Sequence, residues 1–312
     1  MDYCSKSRSS YSLQSHFTRK SPYYRVEGIS AFPAFGSTYD WVNTSLGDSS
    51  HLSLDNHVIP GIPDLSQGDY EPDGDGIAKW AKDSYNYLDS VENYHINIVM
   101  WAWCDIADHN IPRYLNSMEW LIQFFGENGS HARAADHPVK FVFMTAHANG
   151  GGEGDSSDSA NEQIRQHCLN NDRILYDFAD MENYDPDNNY FLNKRLDDAL
   201  YYDSTPPYDV GERDANWASE YLTRYPDNIL YQLTNGTTDY PGCGKCAHSP
   251  NPGETPDGRL NCILKGMAAW SLFARLAGWD GGTLQPPPPP PPLPNPSPHS
   301  PPLSILFILL KI

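Results

Sequence analysis

The sequence is short of positive charge. Its 312 residues carry 21 lysines and arginines against 40 aspartates and glutamates, a formal net charge of −19. Affinity for nucleic acid depends on clustered cations that neutralise phosphates, so this composition argues against a nucleic-acid partner. Anionic membrane surfaces are disfavoured for the same electrostatic reason.

Long hydrophobic runs are also missing. No stretch of 18 apolar residues occurs, so the sequence predicts no transmembrane span. The N-terminal residues lack the continuous apolar stretch of a signal peptide. What the chain does have is aromatic bulk, with 8 tryptophans, 20 tyrosines and 11 phenylalanines. These side chains can fill a core, so we expect a globular fold rather than a chain disordered throughout.

The two ends differ in composition from the middle. Residues 1–22 are rich in serine, lysine and arginine, which predicts an irregular N-terminal segment. Residues 283–312 contain a proline run that starts at Pro286, typical of an extended spacer, and predict a disordered tail. The tail ends in LSILFILLKI, too short to cross a bilayer, which leaves open a spacer that leads to a surface anchor. One folded domain is therefore expected over 23–282.

Buried strands and helices alternate through the middle of the chain. Continuous apolar runs predict parallel strands at 96–104, 139–146 and 173–179. Apolar residues at helical spacing predict helices at 111–127, 159–172, 214–225 and 264–279. Pro112 suits the first turn of the first of these helices. The pattern indicates an α/β fold in which helices cover both faces of a mostly parallel sheet.

Functional residues in such sheets lie at the carboxyl ends of the strands. Cys104 and Asp105 follow the first predicted strand, and Asp180 and Glu182 follow the third. His147 follows the second strand and opens a loop that contains Gly150, Gly151 and Gly152. Because backbone N–H groups of such a loop can face a ligand, Cys104, Asp105, His147 and Gly150 are candidates for a pocket or oxyanion hole.

The cysteines allow two interpretations. Cys243 and Cys246 form a C-x-x-C that, with Cys262 and His248, has the residue types of a zinc site. The spacing is not that of a standard finger, and the glycine- and proline-rich loop favours disulfides and an extracellular location. Three N-x-[ST] sequons, at Asn43, Asn128 and Asn235, are compatible with secretion. We assign no metal and no cofactor.

Acidic loops give a weaker indication of calcium. Asp69, Asp73 and Asp75 resemble a calcium loop, but the twelfth residue is Trp80 rather than glutamate, which excludes an EF-hand. An irregular calcium site there, or at 183–190, is left open.

Several segments together resemble a known superfamily. They are NIVMWAWC, KFVFMTAHANG, NEQIRQHCLNNDRILYDFADMENYDPD and CAHSPNPGETPDGRLNCILKGMAAWSLFARLAGW. The chain from about 28 to 282 resembles uncharacterised bacterial and archaeal members of the SGNH/GDSL hydrolases. The resemblance implies a flavodoxin-like α/β/α domain and ester hydrolysis by a serine nucleophile. Typical substrates of the superfamily are acyl esters of lipids or acetyl esters of carbohydrates.

The resemblance also implies where the catalytic groups lie. The imidazole of the superfamily sits in the loop before the last helix, where this chain has His248. The acid often found three residues earlier is replaced by Lys245, which cannot accept the imidazole N–H. Asp239, or else Asp257, is the candidate acid, or the site works as a dyad.

The serine is harder to find, because no apolar strand precedes a recognisable nucleophile turn. Ser21 lies nearest the expected position, and Ser49 belongs to a Gly-Asp-Ser triplet. We further predict a disulfide between Cys246 and Cys262, which bracket His248 and would fix its loop.

Two functions follow from these residues. The first is a secreted or cell-surface serine esterase acting on carbohydrate or lipid acyl esters, with a small-molecule or polysaccharide ester as its partner. The alternative is a decayed or truncated relative that binds carbohydrates or surfaces on the same scaffold.

Overall fold

The computed structural model describes residues 65, 74–103, 105–209, 212–237 and 259–279 with their side chains. It also gives the backbone course of strands at 14–18, 21–25, 41–42, 52–56 and 304–308.

The main sheet is parallel. Its strands are β3 (Trp41–Val42), β4 (Leu52–Asn56), β5 (Ile96–Trp101), β6 (Lys140–Met144), β7 (Ile174–Tyr176) and β10 (Ser304–Ile308). They lie in the order β3-β4-β10-β5-β6-β7, with every neighbouring pair parallel. Val99 pairs with Phe141, and Phe143 pairs with Leu175. The predicted parallel neighbours 96–104, 139–146 and 173–179 are therefore confirmed.

Two short antiparallel pairs accompany the main sheet. β1 (Gln14–Thr18) pairs with β2 (Ser21–Arg25), and β8 (Tyr201–Tyr202) pairs with β9 (Ala215–Asn216).

Seven α-helices lie in the part of the chain that the structure describes. They are α1 (Lys79–Asp89), α2 (Ile111–Phe125), α3 (Ser156–Asn171), α4 (Phe178–Asn183), α5 (Trp217–Arg224), α6 (Ile229–Asn235) and α7 (Leu260–Leu276). Helices α2, α3, α5 and α7 occupy the four predicted segments. Pro112 lies in the first turn of α2, and the Asn110 side chain caps this helix by accepting from Arg113 N at 3.0 Å.

Helices cover both faces of the sheet, as the strand pattern requires. Ile98 and Met100 of β5 belong to one buried cluster, together with side chains from α5, α6 and α7. Val99 and Trp101 belong to a second cluster, on the side of α1, α2 and α3. Successive side chains of a strand point to opposite faces, so a strand buried on both sides is apolar throughout. The α/β class is thereby confirmed.

The direction of α7 follows from contacts near its two ends. Lys140, the first residue of β6, donates from Nζ to Leu276 O at 2.7 Å. Tyr176, the last residue of β7, donates from its hydroxyl to Lys265 O at 2.7 Å. Helix α7 therefore runs antiparallel to these strands and begins at the carboxyl edge of the sheet.

Some elements differ from the sequence expectations. The apolar pattern of the sequence does not predict helix α1, because its buried face includes the polar residue Ser84. The Ser84 hydroxyl donates to Trp80 O and accepts from Trp101 Nε1, both at 2.8 Å. The predicted strand 173–179 ends early, since Asp177 caps α4. Helix α6 (Ile229–Asn235) is likewise not predicted by the sequence pattern.

Both ends of the chain also contain strands. Ser304–Ile308 pairs with β4 and β5 in the main sheet. An apolar segment of this composition suits a strand between two others. The N-terminal segment likewise contains the β1–β2 hairpin rather than only irregular backbone.

Candidate functional site

A buried carboxylate lies at the carboxyl edge of the sheet. Glu182, on α4, is fully buried, and its Oε2 accepts from Ala148 N at 2.6 Å in the loop after β6. Its other oxygen pairs closely with Lys265 Nζ on α7. The Trp217 indole donates to the Glu182 carbonyl at 3.0 Å. Glu182 thus connects β6, α4, α5 and α7.

Lys265 is nearly as deeply buried as its partner. Lys265 is 4% exposed, and its Nζ lies 3.7 Å from the centre of the Phe178 ring. Burial lowers the pKa of Lys265, and the adjacent Glu182 carboxylate opposes that shift. The ring and the carboxylate replace the water that an exposed ammonium would bind.

A second buried ion pair lies beside the first. Asp177, 1% exposed, accepts from Arg165 Nε at 2.7 Å and from Arg165 Nη2 at 3.0 Å. The Thr145 hydroxyl donates to Asp177 Oδ1 at 2.8 Å and accepts from Ala179 N at 3.0 Å. This bidentate pair ties α3 to the end of β7, while Thr145 ties in the end of β6.

The loop after β6 is held through its backbone. Asn161 accepts from Ala146 N at 2.8 Å and donates to Ala146 O at 3.1 Å. Gly150 N donates to Leu196 O at 2.9 Å, and Gly151 N donates to the Asn149 side chain at 3.2 Å. The Gly150 N–H therefore donates within the protein, and a role for Gly150 in a pocket or oxyanion hole stays a prediction.

Gly150 also has a conformational role. Its φ is +84°, and a Cβ there would stand 1.9 Å from Arg213 Nη2. Arg195 Nε and Arg213 Nη2 both donate to the Gly150 carbonyl at 3.2 Å. The positive φ favours glycine here, and a Cβ would in addition displace the guanidinium of Arg213 from its contact with the Gly150 carbonyl.

We expect Gly150→Ala to lower the free energy of unfolding by about 2–3 kcal/mol, through the positive φ and the displaced arginine. Urea denaturation measures the change. The matched control is Gly154→Ala, which shares a positive φ of +78° but meets nothing within 4 Å. It should cost only about 1 kcal/mol. Equal losses in the two variants would contradict the role given to the arginine.

A small cavity opens beside this loop. Its volume is about 10 Å³, and its lining includes His147, Asn149, Asp155 and Asn183. Burial raises the pKa of Asp155, which caps α3 by accepting from Asp158 N at 2.7 Å. This space holds about one water molecule and is far below the roughly 300–1,000 Å³ of typical small-molecule sites.

The predicted site residues have different outcomes. His147 lies at the carboxyl edge as expected, with Nδ1 2.9 Å from Ala148 O. Asp105 is exposed after β5, and its carboxylate accepts from Ala107 N at 2.9 Å. Ser21 begins β2 opposite Thr18, in an antiparallel hairpin rather than after a parallel strand. The predictions for Cys104, Ser49, Asp239, Cys246 and His248 lie outside the described residues.

Only some of the residues in the cysteine and metal predictions are described by the structure. Cys262 is disulfide-bonded, and its predicted partner Cys246 lies outside the described residues, so that pairing stays a prediction. Within the described ranges, no three His, Cys, Asp or Glu side chains form a metal-binding group. Asp185 of the second acidic loop accepts from Asp187 N at 3.0 Å and Asn189 N at 2.8 Å, which closes a turn.

Sequence reasoning missed the partners of these buried carboxylates. Asn161 and Arg165 lie four residues apart and share the buried face of α3 with Ile164 and Cys168. Polar residues at core positions of a helix were the available signal, because such groups require buried partners.

The fold and the site define a class: an α/β protein whose parallel sheet carries a buried polar network at its carboxyl edge. No family model matches the chain, and no significant match occurs among curated proteins or solved structures. Among the helices of the described residues, none has both the length and the hydrophobicity needed to cross a bilayer.

Proposed function

We propose that this chain is a serine ester hydrolase of the SGNH type, with a flavodoxin-like domain and His248 as its general base. The observation that carries the proposal is the start of α7 at the carboxyl edge, beside the ends of β6 and β7. His248 precedes α7 by only a short segment, and active sites of open parallel sheets lie at this edge.

The chemistry requires a hydroxyl activated by the imidazole. The serine oxygen attacks the ester carbonyl carbon, while His248 takes the hydroxyl proton and passes it to the leaving alcohol. Water then hydrolyses the acyl-enzyme with the same base. Ser21 and Ser49 are the candidate nucleophiles, and Asp239 is the candidate partner of the imidazole.

The substrate class is an acyl ester of a carbohydrate or a lipid. The net charge of −19 favours neutral over anionic esters, because like charge lowers the local concentration of a substrate. A disulfide at Cys262 is in keeping with an extracellular or cell-surface location, since disulfides persist in oxidising compartments.

A fluorophosphonate probe tests the proposal, because it labels only an activated serine. We expect one labelled serine, identified by peptide mapping, together with hydrolysis of p-nitrophenyl acetate. His248→Ala should lower kcat by about 100-fold or more and abolish the labelling. The control is His95→Ala, an exposed histidine that precedes β5 at the opposite edge.

Two results would overturn the esterase. One is a chain that neither reacts with the probe nor hydrolyses the ester, which would favour the decayed binding module. The other is a His248→Ala variant as active as His95→Ala.

A further inference from the structure

The buried pair of Glu182 and Lys265 joins the two segments that border the proposed active site. Glu182 holds Ala148 in the loop after β6, and Lys265 lies in the second turn of α7. We infer that this pair is a positioning device, which fixes the start of α7, the helix that follows His248 in the sequence, against the strand ends. The inference rests on the proposed esterase function.

The pair is costly as a source of stability alone. Both side chains are removed from water, and the desolvation of two ions offsets much of their attraction. Apolar side chains of the same size would fill this space with no such cost. An apolar pair would not fix the relative position of the two segments, because it has no acceptor for the Ala148 N–H and no preferred geometry across the contact.

The surrounding contacts fix both members of the pair. The Glu182 carbonyl accepts from the Trp217 indole at 3.0 Å, and the Lys265 carbonyl accepts from the Tyr176 hydroxyl at 2.7 Å. Neither backbone can shift without breaking a buried hydrogen bond. Asn261 in the first turn of α7 also donates to Asp198 O at 2.9 Å, while much of the rest of the helix packs through apolar side chains such as Leu264, which tolerate small displacements. The polar contacts therefore set the position of the first turns of α7.

Two double variants separate positioning from stability. Glu182→Leu with Lys265→Met removes both charges and the acceptor for Ala148 N–H. Glu182→Gln with Lys265→Met also removes both charges but keeps an amide oxygen as that acceptor. Lys140→Met is the control, because it removes the lysine that contacts the other end of α7.

We expect the two double variants to unfold at similar urea concentrations, both somewhat below that of the wild type. Neither leaves a buried charge unpaired, but the Leu/Met variant leaves the Ala148 N–H without an acceptor and the Gln/Met variant leaves the new amide NH2 without one. The Leu/Met variant should nevertheless lose about 100-fold in kcat with little change in KM, because misplacing catalytic groups by about 1 Å has effects of this size. The Gln/Met variant should recover most of that loss. Lys140→Met should retain wild-type kcat.

Hydrogen exchange of the Ala148 amide provides a readout that does not depend on catalysis. Exchange should accelerate by about tenfold or more in the Leu/Met variant and stay slow in the Gln/Met variant. If the wild type hydrolyses no ester, the proposed function fails, and no His248 chemistry remains to be positioned. Unchanged Ala148 exchange, or equal kcat in the two double variants, would overturn the positioning role even in an active enzyme.

Discussion

Arg165→Met will lower the free energy of unfolding by about 3–5 kcal/mol. The substitution leaves the Asp177 carboxylate buried without its cation, and breaking a buried pair from one side has a cost of this size. Arg165 also lies near Asp158 and Glu162, at 3.7 and 3.8 Å, so three carboxylates lose a neighbouring positive charge. Urea denaturation at neutral pH measures the loss.

Two further variants test this explanation. Asp177→Asn combined with Arg165→Met removes the unpaired charge while keeping the side-chain oxygen that caps α4, so about half of the loss should return. Arg173→Met is the matched control, because its partner Glu119 is partly exposed. A surface pair of this kind contributes about 1 kcal/mol or less. An Arg165→Met variant no less stable than Arg173→Met would contradict the role of the buried pair.

Arg133→Met should be equally damaging, for a different reason. The Arg133 side chain faces carbonyls rather than a carboxylate. Its guanidinium donates to the carbonyls of Ile96 at 2.6 Å, Leu88 at 2.7 Å, His137 at 3.1 Å, and Asn93 and Tyr94 at 3.4 Å. Burial lowers the pKa of Arg133 to about 10, so the group is still charged at neutral pH.

We expect the methionine variant to lose about 3–5 kcal/mol, because each buried carbonyl left unpaired costs about 1–3 kcal/mol. Arg133→Lys keeps the charge but offers a single ammonium instead of a planar fork, so an intermediate loss is expected. Chemical denaturation of the two variants provides the comparison. If Arg133→Lys had the same free energy of unfolding as the wild type, the hydrogen bonds from the guanidinium to these carbonyls would not be the source of stability.

The resemblance to SGNH hydrolases, more than the composition, implies a site at His248 in the segment before the last helix. The structure adds the direction in which that helix runs, since it begins at the carboxyl edge of the sheet. It also shows that the Gly150 N–H donates to Leu196 O.

The sequence by itself determined the strands and the major helices. The apolar runs at 96–104 and 139–146 can be recognised as strands because a strand buried on both faces has no polar position. Helix α2 can be recognised because its apolar positions recur at helical spacing from a start marked by Pro112. These signals are local and need no knowledge of the partner across the core.

Only the tertiary structure decided which polar residues meet. Glu182 and Lys265 are 83 positions apart, and Arg133 meets Leu88 across 45 positions. A carboxylate, an ammonium or a guanidinium carries no record in the sequence of its burial or its partner. That choice is made when distant elements pack together, because only then does desolvation require each buried charge or carbonyl to find its counterpart.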